Sequence, residues 1–522
     1  MPMLACRGLP SMTRLPGLKP HTLACLIAVA AGALLYRLAF PPFDHAWIAW
    51  FALVPLLLVI YRQPSGRAFL CGVAYGAACC YGTAASWAPQ ALARFFQIPF
   101  AVAALGLVGF SVLFWGTVFG IFAAGAARLL GSRRPILGAL ATAAMWVATE
   151  LVRGRVFQQP WVLLGYSQHT HLELIQISAL TGVYGVSFLL ALGNVAISEA
   201  VMRRNQSGGV LDRWGAVAFT GALVAIVWVG GDLVVRRSLP APTRLVAIVQ
   251  SNVPPAVHWT RAFTDYQVMD HTRLTDEQVP MHDIALIVWP ENAVPRYLEL
   301  EPGLAAHLGA LAERHGSDVL FGAPRFEDGR TYNSIRLITA AGRNGGYYDK
   351  QRLVFVAETN PLRPAWAEQP SDNPRQFAAG DGPGVLQSFV PIGVSICHEI
   401  LFPEVVSRSV YAGATILVSV SNDGWLDPGT GVASQQHFAM AGFRAVEMRR
   451  YLVRATTTGI SGVIDPHGRV VDSLGVGARG VLVTPVAALS GLTPYARLGD
   501  VFALACLIVA AAALLLPRTR AA

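Results

Sequence analysis

Eight stretches of about 20 predominantly apolar residues constrain this chain more than anything else in it: 21–40, 44–61, 67–88, 98–130, 135–153, 178–202, 214–235 and 498–516. Segments of this length cross a bilayer core as helices, because no water is present there to satisfy an unpaired backbone. The run 98–130 is too long for one straight crossing, so part of it is expected to tilt or to lie at the interface. Only 14% of the residues are charged, against about 25% in soluble proteins. An ordinary soluble protein is therefore excluded, and 54% hydrophobic residues exclude a disordered one.

The net charge of +9 is spread as short clusters between the apolar runs and forms no basic stripe, so nucleic acid is not an expected partner. Membrane orientation explains the clusters better. Placing the N-terminus in the cytoplasm puts thirteen basic residues near the spans inside, among them Arg62, Arg67, Arg133, Arg134, Arg203 and Arg204. Five then lie outside: Arg94, Arg153, Arg155, Arg236 and Arg237. The chain divides accordingly into a cytoplasmic tail (1–20), a membrane domain of seven spans (21–237), an outer domain (238–496), and a last span with its cytoplasmic tail (497–522). Arg37, Glu150, Glu199, Asp232 and Asp500 all fall near span ends, and the lack of a midplane charge argues against a transporter or proton pump. Two outer segments, 157–168 and 178–194, are read either as interfacial packing or as the floor of a lipid-facing cavity.

From 243 onward the pattern changes to short β-branched runs, among them 245–250, 284–291, 318–324, 334–339, 390–399, 415–423 and 461–466. Helical patterns at 301–315, 403–412 and 434–450 alternate with several of them, which predicts an α/β domain with helices covering sheets. The Pro- and Gly-rich stretch 358–384 is too long for an ordinary connection and reads as a lid.

The chemistry lies in the polar residues that end these strands. Cys397 is the only cysteine of the outer domain and sits at a strand-to-helix corner, where a nucleophile can be presented; an inert buried thiol is the bland alternative. No cysteine cluster has zinc spacing, and neither a metal nor a cofactor is expected. Glu291 ends an apolar strand, where a carboxylate is costly unless exposed or hydrogen-bonded. Of the 40 basic residues only Lys19 and Lys350 are lysines, so Lys350 suggests a task that needs a compact ammonium. Together Glu291, Lys350 and Cys397 supply a base, a cation and a thiol for acyl transfer. His398 is a second candidate base, but adjacent side chains at a strand end tend to point apart, and Glu291 is preferred.

The motifs WPEN, YYDK and SICHE, in this order in an α/β domain, resemble the nitrilase superfamily. With seven spans before and one after, the whole chain resembles the bacterial apolipoprotein N-acyltransferase family, as do AFPPFD, PWVLLGYSQ, TGVYGVSF, VQSNVPP and SNDGW. That resemblance implies an αββα sandwich on the periplasmic side of the inner membrane. It implies Glu291 as general base, Lys350 as stabiliser of the tetrahedral intermediate, and Cys397 as the acylated nucleophile. Glu358, Glu399, His398, Trp259 and Asn422 fall at supporting or substrate-binding positions. His398 stands where the family commonly has Tyr, and LVFVAE (353–358) replaces LVPFGE. The implied partners are a phospholipid acyl donor, a diacylglyceryl-modified apolipoprotein acceptor and the bilayer, with a monomer expected. A membrane-tethered amidase of the same superfamily is the alternative.

Overall fold

The computed structural model describes residues 20–204, 209–255, 260–281, 283–354, 357–359, 376–427 and 429–516. Most of the stretch read as a lid, together with Trp259, lies outside the described residues.

The first half is helical. Among the described residues four helices are long and apolar enough to cross a membrane: Phe100–Leu129, Pro135–Arg155, Val183–Met202 and Val210–Val235. The pair Ser65–Ala84 and Ala88–Phe96, bent by 72°, makes a fifth if counted as one span. Shorter apolar helices occupy Thr22–Leu38, Ala46–Ile60 and Val501–Leu515. The apolar run 44–61 is not one straight helix: a 3-10 turn over Ala46–Trp50 precedes the helix Val54–Ile60, whose first turn holds a proline. The run 178–202 is divided by Gly182 at φ +65°, where a Cβ would stand 2.5 Å from the Tyr495 ring, so the long helix starts only at Val183. Large apolar side chains such as Leu105, Leu113, Ile226 and Ile508 point outward and are exposed.

The second half is a sandwich of two six-stranded sheets. The first contains β1 (Arg244–Gln250), β2 (Ile284–Val288), β3 (Asp318–Glu327), β4 (Arg330–Ile338) and β5 (Asn344–Asp349). The second contains β6 (Val385–Gln387), β7 (Pro391–Ile396), β8 (Ile416–Ser421), β9 (Leu452–Thr456), β10 (Ser461–Ile464) and β11 (Val470–Leu474); β12 (Gly480–Val486) returns to the first. The orders are β12-β1-β2-β3-β4-β5 and β11-β10-β9-β8-β7-β6, with β1-β2-β3 and β7-β8-β9 parallel.

Strand alternation builds the layers. Val246, Ile248, Leu286 and Val288 face Ile392, Val394, Val418 and Val420 of the opposite sheet. Their neighbours Ala247, Val249, Ile287 and Trp289 face helices Arg261–Gln278 and Pro302–His315. Beyond the second sheet, Val405, Met440, Phe443 and Val446 of helices Pro403–Tyr411 and Val432–Met448 join one continuous apolar cluster with the helical half, including Trp146, Leu164 and Leu190. The carboxyl ends of the parallel strands in the two sheets meet where a ligand crevice is expected in such a fold.

Candidate active site

Glu291 follows β2 after Trp289 and Pro290, and Gly322 of β3 makes this turn possible. A Cβ on Gly322 would come within 2.6 Å of the Glu291 Cα, and Asn292 takes a left-handed φ of +55°. Lys350 follows β5, where its N–H donates to the Asn333 carbonyl of β4 at 2.9 Å. Cys397 follows β7 and opens a 3-10 turn, Cys397–Leu401, also at φ +55°. A non-glycine residue held there is a local backbone cost of the kind found at functional turns.

These ends bring the charged groups together. Lys350 Nζ lies 2.8 Å from Glu358 Oε1 and 3.6 Å from Glu291 Oε1. The Asn333 side-chain amide spans both carboxylates, donating to Glu291 Oε1 at 2.8 Å and Glu358 Oε1 at 2.9 Å. Glu291 Oε2 accepts from the Asn422 main-chain N–H at 2.8 Å, a bond that joins the two sheets. Val354 N–H donates to Glu358 Oε2 at 2.8 Å. Lys350 is 1% exposed, Glu291 5% and Cys397 8%, so the cluster is dry enough for each charge to act strongly on its neighbours.

The electrostatics follow from that burial. Desolvation opposes the Lys350 charge, but Glu358 and then Glu291 overcome it and hold the ammonium above its ordinary range. Burial, with the charges of Glu291 and Asp423, pushes the Cys397 thiol up to about 12, against the pull of Lys350 and of the Ser421 hydroxyl, which can favour the charged sulfur. A thiol held there is protonated near neutrality, so a nucleophilic role for it would require a neighbouring base to take its proton. Burial and then the Lys350 charge hold His398 well below its ordinary value, as a neutral ring packed edge-on to Phe402, with no partner for Nδ1 among the described residues.

Glu399 occupies a different place from the cluster. Its oxygens accept from Tyr348 Oη, from the N–H groups of Gln351 and Arg352, and from Ile396 N–H, at 2.7–3.2 Å. It braces the loop after Lys350 against the turn that holds Cys397. Asn422 contributes its main chain to Glu291, while its Oδ1 is buried with no partner among the described residues. Sequence reasoning overlooked Asn333, a polar residue just ahead of the apolar run read as a strand from 334, and the signal was that a buried strand seldom spends a position on an amide. Among the described residues no group of three or more His, Cys, Asp or Glu side chains is arranged to hold a metal ion.

Known proteins match both halves. Residues 32–196 fit the family model described as the apolipoprotein N-acyltransferase N-terminal domain, and residues 245–495 fit that of carbon-nitrogen hydrolases. The apolipoprotein N-acyltransferase of Geobacter metallireducens is 33% identical over 93% of this chain and 94% of its own length. That of Methylococcus capsulatus is 34% identical over 91% of this chain and 93% of its own. The chain belongs to the apolipoprotein N-acyltransferase family. Among solved structures, Saccharomyces cerevisiae Nit3, a nitrilase-superfamily member, covers 48% of this chain and 92% of its own at 18% identity, with a TM-score of 0.38. Membership in the acyltransferase family joins the apolar helical half and the carbon-nitrogen hydrolase half in one enzyme.

Proposed function

We propose that this enzyme N-acylates the terminal diacylglyceryl-cysteine of lipoproteins, using an acyl chain taken from a phospholipid and held as a thioester on Cys397. The observation that carries the chemistry is the buried Glu291–Lys350–Glu358 cluster beside a neutral thiol. In the first half-reaction Glu291 takes the Sγ proton as sulfur adds to the donor ester carbonyl. Lys350 offsets the negative charge that develops on the carbonyl oxygen. The ester C–O bond breaks, Glu291 returns the proton to the departing glyceryl oxygen, and a lysophospholipid leaves. In the second, the neutral α-amine of the acceptor adds to the thioester carbonyl while Glu291 takes one of its protons. The C–S bond then breaks, the sulfur recovers a proton, and an amide remains. Glu358 and Asn333 keep Lys350 and Glu291 in register.

The apolar helices seat this chemistry at a bilayer. In this reading the eight apolar segments all cross, the N-terminus is cytoplasmic, and 238–496 lies on the periplasmic side of the inner membrane, in accord with the thirteen-to-five placement of basic residues. Both substrates are then anchored in the leaflet beside the site, which spares extraction of each chain at about 0.8 kcal/mol per CH₂.

Product analysis tests the reaction. Purified enzyme given labelled phospholipid and a diacylglyceryl-cysteine peptide should yield N-acyl peptide and lysophospholipid in equal amounts. Free fatty acid in place of N-acyl peptide would instead identify a membrane-tethered hydrolase.

A further inference from the structure

A second buried polar cluster borders Cys397 and takes no part in the steps above. Strands β7 and β8 run parallel with Ile396 level with Val420. Just past this pair Cys397 leaves the strand at φ +55° while Ser421 ends β8, and the fully buried Ser421 hydroxyl lies within hydrogen-bond reach of the sulfur. Ser421 Oγ donates to Asp423 Oδ1 at 2.6 Å. Asp423 is held in turn by Arg454 of β9, whose Nη2 lies 3.1 Å from each carboxylate oxygen. Arg454 Nη2 also stands 2.9 Å from His437 Nδ1, while its Nη1 donates to Ser419 Oγ at 3.3 Å. All five side chains are buried, an arrangement costly to assemble unless each group is held for a purpose.

A hydroxyl has one hydrogen. While Cys397 is a neutral thiol, the Asp423 carboxylate is the stronger acceptor and takes it. When the sulfur carries negative charge, the same hydrogen can turn to it.

We propose that Ser421 is a catalytic residue of this enzyme, donating its hydrogen to Cys397 Sγ whenever that atom is charged, and that Asp423, pinned by Arg454 and His437, is the positioning residue that returns the hydroxyl between turnovers. The sulfur is charged twice per cycle, as it attacks the donor ester and as the acceptor amine displaces it, so both half-reactions use the switch. The inference rests on the reading of Cys397 as the nucleophile.

The charged and titratable groups around the sulfur are Glu291 after β2, Lys350 after β5, Asp423 after β8, its neighbour His398, and His437 from helix Val432–Met448. Against that background the two residues act with opposite sign. Ser421→Ala removes a donor that favours the thiolate, and Asp423→Asn removes a negative charge that opposes it. The test is the rate of Cys397 alkylation by iodoacetamide in the full-length detergent-solubilised enzyme between pH 7 and 9, read on the Cys397 peptide by mass spectrometry. S421A is expected to react about threefold slower than wild type at each pH, and D423N about threefold faster, allowing for the weaker nucleophilicity of a more acidic thiol. In turnover, S421A should lower kcat and leave KM unchanged. Equal rates in all three proteins, or both variants moving in the same direction, would overturn the proposal. Should D423N not accumulate in membranes, S421A decides alone: slower alkylation supports the switch and an unchanged rate refutes it. Acylation of wild-type Cys397 by phospholipid, followed in parallel, keeps the two ideas apart, because its absence would remove the nucleophile assignment whatever the alkylation order.

Discussion

Several hydroxyl side chains of the helical half and the charged cluster of the sandwich are buried by different rules. In the helices Thr142, Thr149, Ser198 and Thr220 each donate to the carbonyl one turn back in their own helix, at 2.7–2.8 Å. Each such bond is closed within five residues and leaves little capacity for anything else. In the sandwich Asn333 comes from β4 of the first sheet, Glu291 and Lys350 from the ends of β2 and β5 and Glu358 from the loop that follows, and Asn422 adds its main-chain N–H from the second sheet only when the two have closed. The first arrangement hides polarity from lipid, and the second gathers it where a reaction can use it.

Substitutions in the two regions should separate them sharply. Cys397→Ala should lower acyl transfer from labelled phospholipid by at least about 10³-fold, since it removes the atom proposed to carry the acyl group. Glu291→Gln should cost about 10²–10⁴-fold by removing the proposed base, and Lys350→Met about 10²–10³-fold by removing the charge proposed to face the developing oxyanion; both effects are expected in kcat, and Lys350→Met, which leaves two buried carboxylates without a counter-charge, should also lower the melting temperature. With the Cys397 thiol pushed up to about 12, its alkylation should rise about tenfold per pH unit between 7 and 9 without a plateau, because only the thiolate reacts. A plateau near pH 7 would show a free thiolate and remove the need for Glu291 as base. Asn333→Ala should lower activity about tenfold, through loss of two charge-assisted bonds to the carboxylates. In the helical half Thr149→Ala should change stability by no more than about 1 kcal/mol in thermal unfolding and leave turnover unaltered. A large activity loss there would break the contrast between the halves.

The same contrast governs what the sequence makes legible. Hydropathy locates the apolar segments because bilayer-facing helices carry their signal in every residue, yet it does not reveal that Pro55 starts a fresh helix inside 44–61 or that Gly182 delays the helix to Val183. Strands β2, β7 and β8 are readable as apolar runs buried on both faces. Strand β9 is not, because Arg454 interrupts it, and a buried arginine makes sense only once Asp423 arrives from the neighbouring strand. Helix Arg261–Gln278 also escapes notice, since Thr264, His271 and Thr275 share its buried face with Val268 and Leu274, leaving no clean apolar stripe. The candidate triad is legible because each member is chemically exceptional where it stands: the one cysteine of the outer domain, its one lysine, and a glutamate closing an apolar strand. Asn333, Ser421 and His437 are ordinary residue types, and only the register of the strands and helices around them shows what they touch.

Intact-mass analysis of the purified protein after incubation with phospholipid, with no acceptor present, tests the central claim most directly. The account predicts a single added acyl mass, mapped to Cys397, absent from Cys397→Ala and discharged when a diacylglyceryl-cysteine peptide is added. An unmodified mass under conditions where acceptor is still acylated, or an adduct that persists in Cys397→Ala, would contradict it.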